Sequence, residues 1–169
     1  MEDRPKIKIQ LTTTDNFLEI LGWILVIAIW LFTIIKYASL PAMIPIHYNG
    51  LGQVDGYGDK SSILTFPIIS TILFILITIL NKFPYIFNYP TEIKKGNALS
   101  LYTNATRMLR SVKLIIVFIF GLIEFKTIQN IENKTENLGI WFLPLILTLL
   151  FVPTIYYIIK SNNIKKANR

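Results

Sequence analysis

Three uncharged apolar runs limit what this chain can become. Residues 20–35, 61–80 and 138–159 contain no Asp, Glu, Lys or Arg. A helix needs roughly 17 to 25 mostly apolar residues to cross the hydrocarbon core of a bilayer. In lipid, the backbone must satisfy its own hydrogen bonds, which helices do within one segment. These runs therefore read as membrane helices. A hydrophobic fraction of 53% agrees, being too high for an ordinary soluble domain with a polar surface.

The first span is predicted over residues 17–37, its uncharged run from Ile20 preceded by Asp15, Asn16 and Glu19, which suit a helix start where free backbone N–H groups need acceptors. A cleaved signal peptide would need a shorter apolar core and a small-residue cleavage site. Ser39 and Ala42 are weak candidates, so a retained anchor is expected. The second span, 61–80, can be capped by Asp59, Ser61 or Ser62, tolerates Pro67 near its start, and ends at Asn81 to Pro84. The fourth, 138–159, contains Pro153, which removes a hydrogen bond to the Leu149 carbonyl and kinks the helix. The third has only a short uncharged core, 114–123, and becomes a full crossing over 103–127 if its charged ends snorkel to the interfaces.

Charge fixes the orientation. With four crossings and a cytoplasmic N-terminus, thirteen of the 17 lysines and arginines fall inside, and Lys36, Lys60, Lys126 and Lys134 fall outside. Short loops obey the positive-inside rule. The expectation is an all-α membrane protein, a single membrane domain over 1–169. Its four transmembrane helices form a bundle with both termini cytoplasmic and an ordered extracytoplasmic loop between helices 1 and 2. A net charge of +7 then marks orientation, and no nucleic-acid partner is expected. The absence of cysteine excludes disulfides, thiol nucleophiles and thiolate metal sites.

The loop, residues 40–60, concentrates the turn-forming residues of the first half and holds the one histidine, His47. Pro41 and Pro45 push their predecessors into extended conformations. Asn49-Gly50 is a tight-turn signal and Asp55-Gly56 a second one, with Gly52 between them. Residues 44–48 and 53–57 are long enough for a short irregular hairpin. Tyr48 and Tyr57 suit the headgroup boundary.

The ordered set Leu40-Pro41, Ile44-Pro45, His47, Asn49, Gly52, Asp55-Gly56 and Lys60, just before a membrane helix, resembles the signature of a bacterial membrane-protein family of unknown function. That family's domain also opens the SdpI-type immunity proteins. The resemblance covers about residues 20–80. It implies a multipass protein of the bacterial cytoplasmic membrane, with immunity to, or sensing of, a secreted toxin peptide through the outer loop. SdpI-type proteins carry a further membrane module, so only the loop positions carry over.

Physically, His47, Asn49, Asp55 and Lys60 are the candidate ligand-binding residues; Pro41, Pro45, Gly50, Gly52 and Gly56 shape the loop. Imidazole is the side chain that changes charge near neutrality, and a hairpin would set Asp55 beside it. The plainer reading is that these side chains satisfy the loop's own backbone. One histidine with scattered oxygens does not make a closed metal set, and no cofactor is expected.

Arg107, Arg110 and Lys113 share one side of a helix. The plain expectation is that this stripe meets anionic headgroups inside while Glu124 reaches the outer interface. The alternative is a polar cavity with Glu124 and Glu19 as proton or cation carriers.

Catalysis is not expected. Gly56-Tyr57-Gly58-Asp59 matches a GxGD string only by letter, since two facing intramembrane aspartates are needed and no predicted span contains one. No zinc-protease helix, nucleophile elbow or phosphate loop is present. The functions in contention are peptide immunity or sensing, a small transporter working as a homo-oligomer of four-helix units, and a structural subunit packed on another membrane protein.

Overall fold

The computed structural model describes residues 4–135 and 137–167. Helix α1 covers Thr13–Tyr37, strands β1 and β2 cover Met43–Tyr48 and Val54–Asp59, α2 covers Thr65–Leu80, α3 Ala98–Asn133 and α4 Phe142–Ala167. A 3-10 turn, Lys60–Leu64, leads directly into α2.

Helix α1 starts earlier than expected because Thr12 and Asp15 form a capping box. The Thr12 N–H donates to Asp15 Oδ2 at 2.9 Å, and the Asp15 N–H donates to Thr12 Oγ1 at 3.3 Å. Two orphan amides at the helix start are satisfied together. Asp15 thus belongs to the first turn of α1 and is buried, which corrects the expectation that no span contains an aspartate. Asp59 caps the 3-10 turn by accepting from the Ser61 N–H at 2.8 Å. Asn81 caps the C-terminus of α2. Helix α4 begins at Phe142 and continues through Pro153.

Helix α3 is the centre, packing against α1, α2 and α4. Three apolar layers run along the bundle. Leu40, Ile44, Ile63 and Ile128 join the hairpin to α3 at one end. Val26, Ile29, Phe74 and Val117 fill the middle. Ile93, Ala98, Leu101 and Tyr102 close the other end. Gly22 is needed in the middle layer because a Cβ there would stand 2.4 Å from the Phe74 ring. Small residues allow such close helix approach in membrane bundles.

The outer surfaces are aliphatic: Ile20, Ile24, Ile27 and Leu31 on α1, and Ile72 and Leu76 on α2, face away from the protein. Among the described residues three segments are long and apolar enough to cross a membrane: Thr13–Tyr37, Lys60–Leu80 and Phe142–Ile164. This is a mostly helical protein of membrane type. Helix α3 differs because its polar side chains point inward; Asn104, Thr106, Arg110, Lys113, Glu124, Thr127 and Asn130 are all buried. Arg169 and the side chains of Lys165 and Lys166, counted among the inner charges, lie outside the described residues.

Candidate ligand-binding site at the hairpin

β1 and β2 pair antiparallel, with irregular register around His47. The turn is built by Asn49. Its Oδ1 accepts from the N–H groups of Leu51 and Gln53 at 2.9 and 3.1 Å, and its carbonyl accepts from the Gly52 N–H at 2.9 Å. The left-handed residue is Gly52, with φ +78°, and not Gly50, so the turn is longer than a two-residue Asn-Gly turn. Asp55-Gly56, expected as a second turn, lies within β2 opposite His47. There a Cβ on Gly56 would sit 3.1 Å from the His47 Cβ, so glycine makes room for the imidazole.

The tip is also tied from outside the hairpin. The Leu138 N–H donates to the Gly52 carbonyl at 2.7 Å, and Gln53 bridges to Asn137. The connection between α3 and α4 therefore lies against the hairpin's edge.

The four candidate binding residues separate into three roles. His47 Nδ1 and Asp55 Oδ1 are 2.5 Å apart, with side chains 71% and 42% exposed. Asn49 is committed to the turn. Lys60 stands at the hairpin's base, its Nζ 5.1 Å from the Tyr37 ring centroid. Pro41 follows the end of α1, and Pro45 is buried within β1, opposite Tyr57. Gly50 has nothing within contact range of a built Cβ.

Beneath the hairpin lies a cavity of about 360 Å³. His47, Tyr48 and Asn49 form its polar edge, while Phe66, Ile123 and Phe142 are among its apolar walls. Tyr48 is anchored by donating from its hydroxyl to Thr127 Oγ1 at 3.0 Å, and burial pushes its phenol above the usual range. The Ser61 hydrogen bonds hold the Asp59 carboxyl below its usual range. The arrangement can seat an apolar group while offering the His47 imidazole, bonded to Asp55, at the rim.

A second polar cluster, between α1 and α3, corrects the reading of the basic stripe. Arg107 Nε donates to Asp15 Oδ1 at 2.9 Å and its Nη2 to Asp15 Oδ2 at 3.0 Å. Arg110 Nε donates to Glu19 Oε1 at 3.0 Å. Lys113 Nζ donates to Glu19 Oε2 at 2.6 Å and to Thr78 Oγ1 at 2.7 Å, 4.3 Å from the Phe74 ring centroid. The stripe meets carboxylates of α1 rather than headgroups. Glu124 likewise does not reach the interface: it is buried against Thr33, whose hydroxyl is 2.5 Å from Oε1. Parallel α1 and α3 bring an acidic pair in the first two turns of α1 against the basic triplet of α3. No pattern within either helix signals that pairing.

Comparison with known proteins places the hairpin at the centre of the recognisable region. Residues 24–71 match the domain of unknown function DUF1648. The matched stretch runs from α1 through the hairpin into α2. An uncharacterized protein of Archaeoglobus fulgidus is 31% identical over 88 residues, covering 47% of this chain and 48% of that protein. The aligned region thus spans about half the length of the archaeal relative. No solved structure matches.

Proposed function

We propose that this chain is a four-crossing membrane protein that senses, or protects against, a membrane-active peptide through its hairpin. The observation that carries the reading is the cavity of about 360 Å³ under the hairpin, apolar in its walls and edged by His47. An amphipathic peptide presents that combination, an apolar anchor beside a polar group. The loop's resemblance to SdpI-type proteins supports the same reading.

The fourth crossing is α3. Its 36 residues would extend about 54 Å at 1.5 Å per residue, ample for a bilayer. Its basic groups Arg107, Arg110 and Lys113 are paired with carboxylates of α1 inside the bundle, the arrangement lipid requires. The positive-inside rule then sets the hairpin on the extracytoplasmic side of a cytoplasmic membrane.

Expression should change cellular sensitivity to a membrane-active peptide. His47→Ala and the cavity-filling Ile123→Trp should abolish that change at unaltered membrane levels. Protection equal to the parent by both variants would remove the hairpin as the recognition element.

A transporter is the second reading, favoured by buried Glu124, whose Oε2 has no hydrogen-bond partner. However, Glu124 and Lys113 lie about three turns apart on α3, and the apolar layer of Val26, Ile29, Phe74 and Val117 occupies the middle of the bundle. That layer argues against a continuous polar path. Proteoliposome flux abolished by Glu124→Gln would restore this reading; equal flux would end it.

A further inference from the structure

At the end of the bundle away from the hairpin, a cavity of about 400 Å³ lies between the N-terminal segment, α1, α2 and α3. Lys8, Lys82, Arg110, Glu19, Thr78 and Asn81 supply its polar lining. Asn81 is only 8% exposed, yet neither its Oδ1 nor its Nδ2 has a hydrogen-bond partner. A buried amide idle on both sides is rare in native proteins and signals a missing partner. The space far exceeds the roughly 30 Å³ share of one water.

The charge around the cavity selects the partner. Among the described residues Glu19 is the one carboxylate in the lining, and Arg110 and Lys113 already bond it. Lys8 and Lys82 are exposed, and neither forms an ion pair among the described residues. The remaining charge is therefore positive. The depth fits as well: the apolar stretch Lys60–Leu80 ends one residue before Asn81, at the edge of the hydrocarbon.

We propose that this cavity binds a phosphate group, carried by a phospholipid headgroup or by a free anion. Lys8 and Lys82 draw the anion in. Asn81 Nδ2 donates to a phosphate oxygen, and its Oδ1 accepts from a hydroxyl or ammonium of the headgroup, or from a protonated phosphate oxygen.

The test uses the full chain in a nonionic detergent. Native mass spectrometry would follow retention of added phosphatidylglycerol and phosphatidylcholine, and calorimetry would follow inorganic phosphate. Preferential retention of phosphatidylglycerol is expected. It should weaken at least about tenfold, the worth of one charge-assisted hydrogen bond, in Asn81→Leu and in the Lys8→Ala/Lys82→Ala double variant. His47→Ala, at the other end, should bind normally. Because the two lysines are exposed, the double variant tests the site even if Asn81→Leu fails to fold. Saturable inorganic phosphate binding without lipid preference would assign the same site to a soluble anion. No phosphate binding together with equal retention of both lipids would overturn the proposal, as would undiminished binding in the double variant.

Discussion

Lys113 on α3 and Glu19 on α1 join the two parallel helices through an ion pair of 2.6 Å, with the ammonium fully buried. The pair is asymmetric. Glu19 is also held by Arg110, while Lys113 has no second carboxylate among the described residues and relies otherwise on the Thr78 hydroxyl and the Phe74 ring.

Removing the carboxylate should therefore cost more than removing the ammonium. Glu19→Leu strands Lys113 in the interior and should destabilise by about 3–5 kcal/mol, the range for a broken buried pair. Lys113→Met leaves Glu19 bonded to Arg110 and should cost less. Unfolding in a denaturing-detergent titration would rank them, and the reverse order would contradict this account of the cluster.

The approach of α1 to α2 gives a steric expectation. Gly22→Ala puts a methyl 2.4 Å from the Phe74 ring and should cost about 1–3 kcal/mol. Phe74→Leu in the same chain should recover part of that loss, visible as favourable coupling in a double-mutant cycle. Independent, additive effects would mean that the ring yields freely.

At the hairpin tip, Gly52→Ala faces both a φ of +78° and a contact of 3.0 Å with the Gly139 carbonyl oxygen. The local cost should be about 1–3 kcal/mol, read as faster hydrogen exchange at the Leu138 amide. Gly50→Ala, in open space, should stay within about 0.5 kcal/mol of the parent. Equal effects at the two glycines would reject the assignment of the left-handed position.

Asp59 gives a pH dependence with a definite sign. Its folded-state carboxyl titrates below the ordinary value because the ionised form accepts from Ser61. The cap's contribution should be complete above pH 3.8, the unfolded value, and decline as pH falls through the lower folded value. The Ser61 amide proton shift should report this titration, and Asp59→Asn should lose it. A titration midpoint at or above the ordinary aspartate value would reject the cap.

The legible part of this fold was whatever depends on neighbours in sequence. Uncharged runs marked three membrane-type helices, and Pro41, Pro45, Asn49 and the glycines marked an irregular hairpin. Asp55-Gly56 misled because the same dipeptide serves a turn or a crowded strand position, and only the pairing of Gly56 with His47 decides. The charges of α3 misled for a different reason. Whether Arg107 meets a headgroup or Asp15 depends on which helix lies alongside, and periodicity within one helix carries no information on that. The candidate site was half legible: His47 and Asp55 do meet, whereas Asn49 is used by the backbone and Lys60 by Tyr37. The orphaned amide of Asn81 left no trace in sequence, since an asparagine after an apolar run reads simply as a helix stop.

The clasp between Gly52 and Leu138 also sets a timetable. A ribosome delivers the hairpin and its first two helices long before the segment that fastens the tip exists. Until the start of α4 emerges, the hairpin must wait with its outer edge open, vulnerable to proteases or to pairing with the wrong chain. Completion of the hairpin is thus a late event, governed by synthesis of the chain's second half.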